Sequence, residues 1–527
     1  MKAFTEPLLS LAGFEEMTKT AEKSSGLISV TGCIDAQKSQ MIYAFGGHRK
    51  NKLIVTFGEQ KAKELYDEYS FFDKEVVYYP SKDVLFYQSD IRGNLLTAER
   101  IRALKAIREQ ERVTLVTTFD ALMNTMAPIE KMWENVLTLE LGQLLDLKEI
   151  QAALIRMGYE KEYQVQTMGQ FSVRGGILDV FPLTEENPIR IELWGDEIDT
   201  IRYFDCESQK SIENIDRVSI YPAAELVLSD EEKAGGIEKL KAEAKRVSDK
   251  LRKQMKTEEA HRVTVMADEL TEEWGELSMY AGMDAFLSYF FDERVGLLDY
   301  FNPSDSLIFF DELTRCAEQG KLTETEFSES MKQRLAMGYI LPGQMNGLFT
   351  EKEIVAKLGK YSCIALAALD NKANGLHQLG SYGIHCQSVS PYNNSFELLI
   401  KDLKRYKKNG YRVILLSGSR TRAKRLSEDI TDQGITCFYT ENYDHELFEG
   451  QIMVCYGKVR RGFEYPILKF AVITESDIFG AQQKKKKRHR TYEGEKIQSF
   501  TDLSVGDYVV HENHGLGIYR GIEKLEV

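Results

Sequence analysis

The chain has 527 residues, with 82 Asp and Glu against 68 Lys and Arg, a net charge of −14 and 43% hydrophobic residues. That composition describes globular protein with room for about three or four cores, and its acidity excludes a surface that coats nucleic acid through total charge. The seven cysteines are scattered without a Cys-x-x-Cys pair, so no metal site is expected, and no apolar run reaches the roughly 18–20 residues of a membrane span. With no signal peptide at the N-terminus and cysteines that suit a reducing compartment, a cytoplasmic protein without membrane contact is expected.

Residues 1–140 alternate in the α/β manner. Leu27–Thr31, Leu53–Phe57, Val76–Tyr79 and Val113–Thr118 read as short buried strands, and Glu59–Tyr69 and Leu96–Glu109 as helices between them. This alternation predicts an α/β fold with a doubly wound, mostly parallel sheet. The first strand runs into Gly32-Cys33-Ile34-Asp35-Ala36-Gln37-Lys38-Ser39, the setting of a phosphate loop with Gln37 where the second glycine belongs. Gly32, Lys38 and Ser39 keep the residue types that serve phosphate and magnesium. Gln37 carries a Cβ into conformations that favour glycine.

Residues 141–228 read as a small mixed α+β domain inserted into the first. Gly176–Phe181, Ile189–Trp194 and Ile198–Phe204 are strands rich in β-branched and aromatic residues, punctuated by Pro, Gly and Asp. Arg174, Arg190 and Arg202 recur along them with Trp194 and Phe204 between, the residue types that dominate protein–protein hot spots. The plainer reading pairs these arginines with Asp179, Glu192 and Asp196. Residues 229–375 hold a charged helical tract and then resume the α/β pattern. Within it, Leu307–Phe310 ends in Asp311-Glu312, the form of a metal-and-water acidic pair.

A further α/β domain is expected at 376–481, with strands Val413–Ser417, Ile452–Tyr456 and Phe470–Thr474 around the helix Thr421–Gln433. A basic linker follows at 482–498. From 499 to 527 the alternation around Gly515-Leu516-Gly517 suggests two short strands about a tight turn. His511 and His514 lack a ligand set and read as turn residues.

The 171–205 block, with Arg174-Gly175-Gly176-Ile-Leu-Asp-Val-Phe-Pro, Arg190, Trp194 and Asp196-Glu-Ile-Asp199, resembles the second domain of the excision-repair protein UvrB. It is more similar still to the matching domain of the transcription-repair coupling factors. The resemblance implies contact with the damage sensor UvrA at Arg174, Gly175, Arg190, Trp194, Glu197 and Arg202. It also implies that Gly32, Gln37, Lys38, Ser39, Asp311 and Glu312 are a vestigial nucleotide site, with no catalytic residue and no cofactor in this chain. ATP and magnesium would belong to the parent family's motor, through which the family also meets DNA.

The 505–521 segment resembles the opening of the family's polymerase-interacting, CarD-like barrel. The β subunit of RNA polymerase would then be the partner, with Tyr519 and Leu525 as candidate contacts. Two strands cannot close a barrel, so an incomplete one is expected, in a chain that is the N-terminal piece of a longer protein. The implied function is transcription-coupled nucleotide-excision repair, with UvrA recruited by mimicry of UvrB. The rival reading is a UvrB-like, DNA-dependent ATPase working through Lys38. A stand-alone CarD-like regulator would need strands beyond Val527.

Overall fold

The computed structural model describes residues 1–46, 49–82, 94–276, 282–369 and 374–480, together with two short strands, Tyr508–His511 and Gly515–Ile518. The largest sheet has seven strands, every pair parallel. Their order is Gln378–Gly383, Gly26–Thr31, Ser362–Leu366, Ser306–Asp311, Asn51–Thr56, Val113–Thr118, Val76–Tyr79. Alternate residues of one strand enter different cores. Phe309 joins Ile28, Val30, Ile54 and Ile364 on one face, while Ile308 and Phe310 join Leu53, Val55 and Leu115 on the other. Both faces are therefore covered, as the α/β pattern predicted, and this is why the central strands read as unbroken apolar runs.

The chain leaves this sheet after Val113–Thr118 and returns with Ser306–Asp311. In the interval, Leu137–Glu140 pairs antiparallel with Arg217–Ile220, at the neck of a six-stranded sheet. That sheet runs Ser211–Asn214, Glu197–Phe204, Ile189–Trp194, Ile177–Val180, Gln170–Arg174, Glu160–Lys161. The helix Leu147–Arg156 is capped by Asp146, whose carboxylate accepts from the Lys148 and Glu149 amides at 2.7 and 3.4 Å. It packs Leu154 into a core with Phe171, Leu178, Ile191 and Ile201, leaving the opposite sheet face polar. Two long helices follow, Asp230–Lys253 and Thr257–Glu276. Ser229 and Glu232 form a capping box at the start of the first.

A buried ion cluster fastens the neck. Arg100 donates to Glu225 at 2.7 and 3.0 Å and to the Pro80 carbonyl at 2.6 Å, and its guanidinium lies 4.1 Å from the Tyr79 ring centroid. Lys82 reaches both Glu225 and Asp284 at 3.0 Å. Burial disfavours the Glu225 carboxylate, but Arg100 and Lys82 outweigh it and hold the group down at about 2.

The third sheet is mixed. Phe438–Tyr439, Ile452–Tyr456, Arg412–Ser417 and Phe470–Thr474 are parallel neighbours, and Phe463–Tyr465 and Gln387–Ser388 extend them antiparallel. This module packs on the helix Asp35–Gly46, where the Tyr465 hydroxyl donates to Gln40 at 3.3 Å, and Arg460 meets Glu64 at 2.6 Å. Among the described residues no helix is long and apolar enough to cross a membrane, and no group of three or more His, Cys, Asp or Glu is placed to hold a metal.

Tyr508–His511 and Gly515–Ile518 form an antiparallel hairpin of their own, with Tyr508 opposite Ile518. The basic linker, Asp83 in the stretch after Tyr79-Pro80, His514, Tyr519 and Leu525 lie outside the described residues.

Candidate functional site

On the polar face of the six-stranded sheet, strand register sets Asp179 directly opposite Arg190, and Arg190 opposite Arg202. Asp179 is buried and serves two arginines. Arg190 forks onto it at 2.7 and 2.9 Å and Arg174 donates at 2.8 Å. Arg190 is fixed further by Gln209 at 2.8 Å and by stacking 4.3 Å above Phe204. The hydrogen bond that Arg190 donates to Asp179 raises its affinity for its proton above even the usual guanidinium range. Arg202 pairs with Glu192, whose carboxyl it holds below the ordinary value. Three guanidiniums thus share two carboxylates, and Arg174 is the one whose charge faces solvent.

Two tight hairpins place an apolar anchor beside this array. Arg174 and Ile177 flank Gly175-Gly176, and Trp194 and Glu197 flank Gly195-Asp196. Each loop opens with a glycine at positive φ, 61° at Gly175 and 66° at Gly195, as a two-residue turn of primed type requires. The Leu193 amide donates to the Gly176 carbonyl at 2.8 Å, so the two turns lie side by side. Trp194 projects there with 84% of its surface exposed, next to Glu197. Leu144, itself 75% exposed, bridges to Glu197 from the 142–145 segment. The sequence reading overlooked Leu144 because it lies in an irregular segment whose pairing only the fold reveals. A large aromatic held in water by a rigid turn, among arginines already oriented, has the anatomy of a hot spot.

The phosphate loop has the opposite character. The structure brings Lys38 to Asp311 and Glu312 as the motif order suggested, but the lysine is consumed by them. Its ammonium donates at 2.5 Å to Asp311, 2.8 Å to Glu312 and 3.2 Å to Asp35, and it is 1% exposed. Burial opposes the charge, yet the carboxylates prevail and hold Lys38 above the ordinary lysine range. Asp311 also accepts from Thr56 at 2.8 Å.

The first two loop amides are taken as well. Gly32 donates to Ala368 at 3.3 Å and Cys33 to Ala367 at 2.9 Å. Gly32 sits at φ 77° with the Ile384 carbonyl 2.0 Å from where a Cβ would stand, so only glycine fits under this roof. Gln37 and Ser39 are buried, and the Ser39 hydroxyl has no hydrogen-bond partner among the described residues. Burial pushes the Cys33 thiol up to about 11, which leaves it protonated and inert. A nucleotide phosphate needs free amides and a free ammonium. Lys38 does not offer the ammonium, so ATP and its magnesium do not fit these residues.

Residues 137–226 match the UvrB interaction domain, and residues 503–527 match the CarD-like/TRCF RID domain. The transcription-repair-coupling factor of Bacillus subtilis (strain 168) is 30% identical over 477 residues, covering 90% of this chain and 40% of the relative. That of Staphylococcus haemolyticus (strain JCSC1435) is 29% identical over 512 residues, 95% of this chain and 42% of its own length. That of Staphylococcus aureus (strain MRSA252) is 28% identical over 529 residues, 98% and 43%. The chain spans about 40% of the length of the curated relatives it matches. Along nearly its whole length, then, this chain is similar to part of the transcription-repair-coupling factors, and its residues 137–226 match the UvrB interaction domain.

Proposed function

We propose that this chain recruits UvrA through the sheet of residues 137–226, presenting the face that UvrB presents, so that the two compete for one partner. The observation that supports this most is Trp194, exposed on a rigid turn beside arginines ordered by the single buried carboxylate of Asp179. In this reading Trp194 and Arg174 touch UvrA, with Glu197 and Leu144 beside them. Arg190 and Arg202 shape the surface more than they reach out from it, and Gly175 fixes the turn. Residues 503–527 contribute to a tether on the β subunit of RNA polymerase, with Tyr519 and Leu525 in the contact. The function of the whole protein is transcription-coupled excision repair, driven by an ATP-dependent motor that acts on DNA.

The domain division that suits this role is a UvrB-like α/β domain at 1–140, completed within 229–375. The UvrA-binding domain at 141–228 is inserted into it, and a second α/β domain follows at 376–481, its first strand, Gln378–Gly383, lying in the seven-stranded sheet. The rival reading, a UvrB-like ATPase, would need Lys38 free for phosphate, and its three carboxylate partners argue against that.

Titration of purified UvrA into this chain by calorimetry, with ATP present, tests the reading. Saturable binding displaced by UvrB is the expected result. No binding at about 50 μM by a folded chain, which corresponds to under roughly 6 kcal/mol of affinity, would overturn it.

A further inference from the structure

The edge of the seven-stranded sheet opposite the phosphate loop holds a cavity of about 500 Å³. It opens where the strands begin, since Lys52 and Thr114 are the second residues of Asn51–Thr56 and Val113–Thr118. Four cations line it, Arg49, Lys52, Lys74 and Arg112, against two acids, Asp73 and Glu75. In a chain of net charge −14 this is a local reversal of sign. Only Lys52 has an acidic partner among the described residues, and the contact is loose, 3.4 Å to an Asp73 oxygen that also accepts from Thr114 at 2.7 Å.

Arg49 is held by carbonyls, at 2.6 Å from Ala21 and by a second bond to Ser304, and Lys74 donates to the Ser70 carbonyl at 2.9 Å. Carbonyls orient these groups without cancelling their charge. Lys52 itself is 8% exposed, over the Tyr43 and Tyr69 rings at 5.9 and 5.6 Å. Burial lowers its affinity for the proton, a sign that its charge is under-compensated in this structure. Tyr43, whose ring lies under the Lys52 ammonium, and the largely buried Phe14 and Phe72 supply the aromatic part of the lining, beside Thr5, Leu9 and Ala44.

An excess of cations over carboxylates calls for an anion, and aromatic rings in the lining favour a planar ring carried on it. We infer that this cavity binds a nucleoside phosphate, with Lys52 and Arg112 on the phosphate and Tyr43 and Phe72 against the base. The same chemistry is offered by a free nucleotide and by a residue of a single nucleic-acid strand. The site is separate from the closed loop at Lys38, which lies at the other ends of the parallel strands.

Calorimetry on the full 527-residue chain with AMP, inorganic phosphate and an oligothymidylate of about a dozen residues tests the inference. AMP is expected to bind about tenfold or more tightly than inorganic phosphate, the stacked base supplying the difference. Arg112→Glu, at an exposed position that leaves the fold alone, is expected to weaken AMP by about tenfold or more. Lys52→Gln should do the same, with circular dichroism to verify folding. Displacement of AMP by the oligothymidylate assigns the site to a strand, and failure to displace assigns it to the free nucleotide. Equal affinity for AMP and phosphate, AMP binding unchanged by Arg112→Glu, or no binding of any of the three would overturn it.

Discussion

Two of the places where the chain gathers cations around carboxylates behave as opposites. At Lys38 one ammonium faces three carboxylates and is buried from solvent. On the small sheet, three guanidiniums face two carboxylates and the surplus charge points outward next to Trp194. Pairing chemistry alone does not separate a structural cluster from a recognition surface. The sign of the surplus and its access to solvent do. A cation with every bond satisfied indoors holds helix to strand. A cation oriented by a buried acid, yet reachable from outside, is prepared for a partner at little cost in side-chain freedom.

Four experiments can break or sharpen this contrast. The largest effect is expected from Lys38→Ala, which strands Asp311 in the core. Urea unfolding should show a loss of about 3–5 kcal/mol, and Mg-ATP should leave the wild-type melting temperature where it was. Stabilisation by Mg-ATP would mean that the loop opens.

Next is Trp194→Ala, for which we expect about 2–4 kcal/mol of lost UvrA affinity with stability within about 0.5 kcal/mol of wild type. Unaltered affinity would remove the anchor from the docking face. Arg190→Ala is the third, a test of whether this arginine organises the face. Stability should fall by about 1–3 kcal/mol, because buried Asp179 keeps only Arg174, whereas Arg174→Glu should reduce binding with a smaller change in folding. Equal behaviour of the two variants would erase the distinction.

The fourth experiment concerns pH. Glu225 has a folded value of about 2 against an ordinary 4.5, so its contribution is complete above about 4.5 and is lost as pH falls through 2. Glu68 is raised by burial to about 7, so the protonated form is favoured on folding and stability declines as pH rises from 4.5 through 7. Melting temperatures between pH 2 and 8 should follow both slopes, and Glu225→Gln and Glu68→Gln should each flatten one.

Much of the scaffold was legible from local pattern. Val76–Tyr79, Val113–Thr118 and Ile452–Tyr456 are β-branched or apolar runs with turn residues at their ends, and the strands form where the runs are. Gln378–Gly383 was not legible, since it is polar and glycine-rich and becomes a strand through its neighbour Gly26–Thr31. At the sites, the missing glycine at Gln37 could be seen, but the carbonyls that close the loop come from residues 367, 368 and 384, more than 300 positions away. The arginines stood out by type and spacing. That Asp179 would hold two of them depends on cross-strand register, which composition does not carry.

The order of strands in the large sheet also has a consequence in time. Gly26–Thr31 is made early, yet both of its neighbours, Ser362–Leu366 and Gln378–Gly383, are made last. At about 5–20 residues per second, a ribosome takes tens of seconds to deliver them. Throughout that interval the first strand has two open edges and no native partner, while the inserted small sheet can already close on itself. The part of the molecule offered to a partner is thus finished before the sheet that carries it, and the nascent chain needs shielding at its oldest strand rather than at its newest.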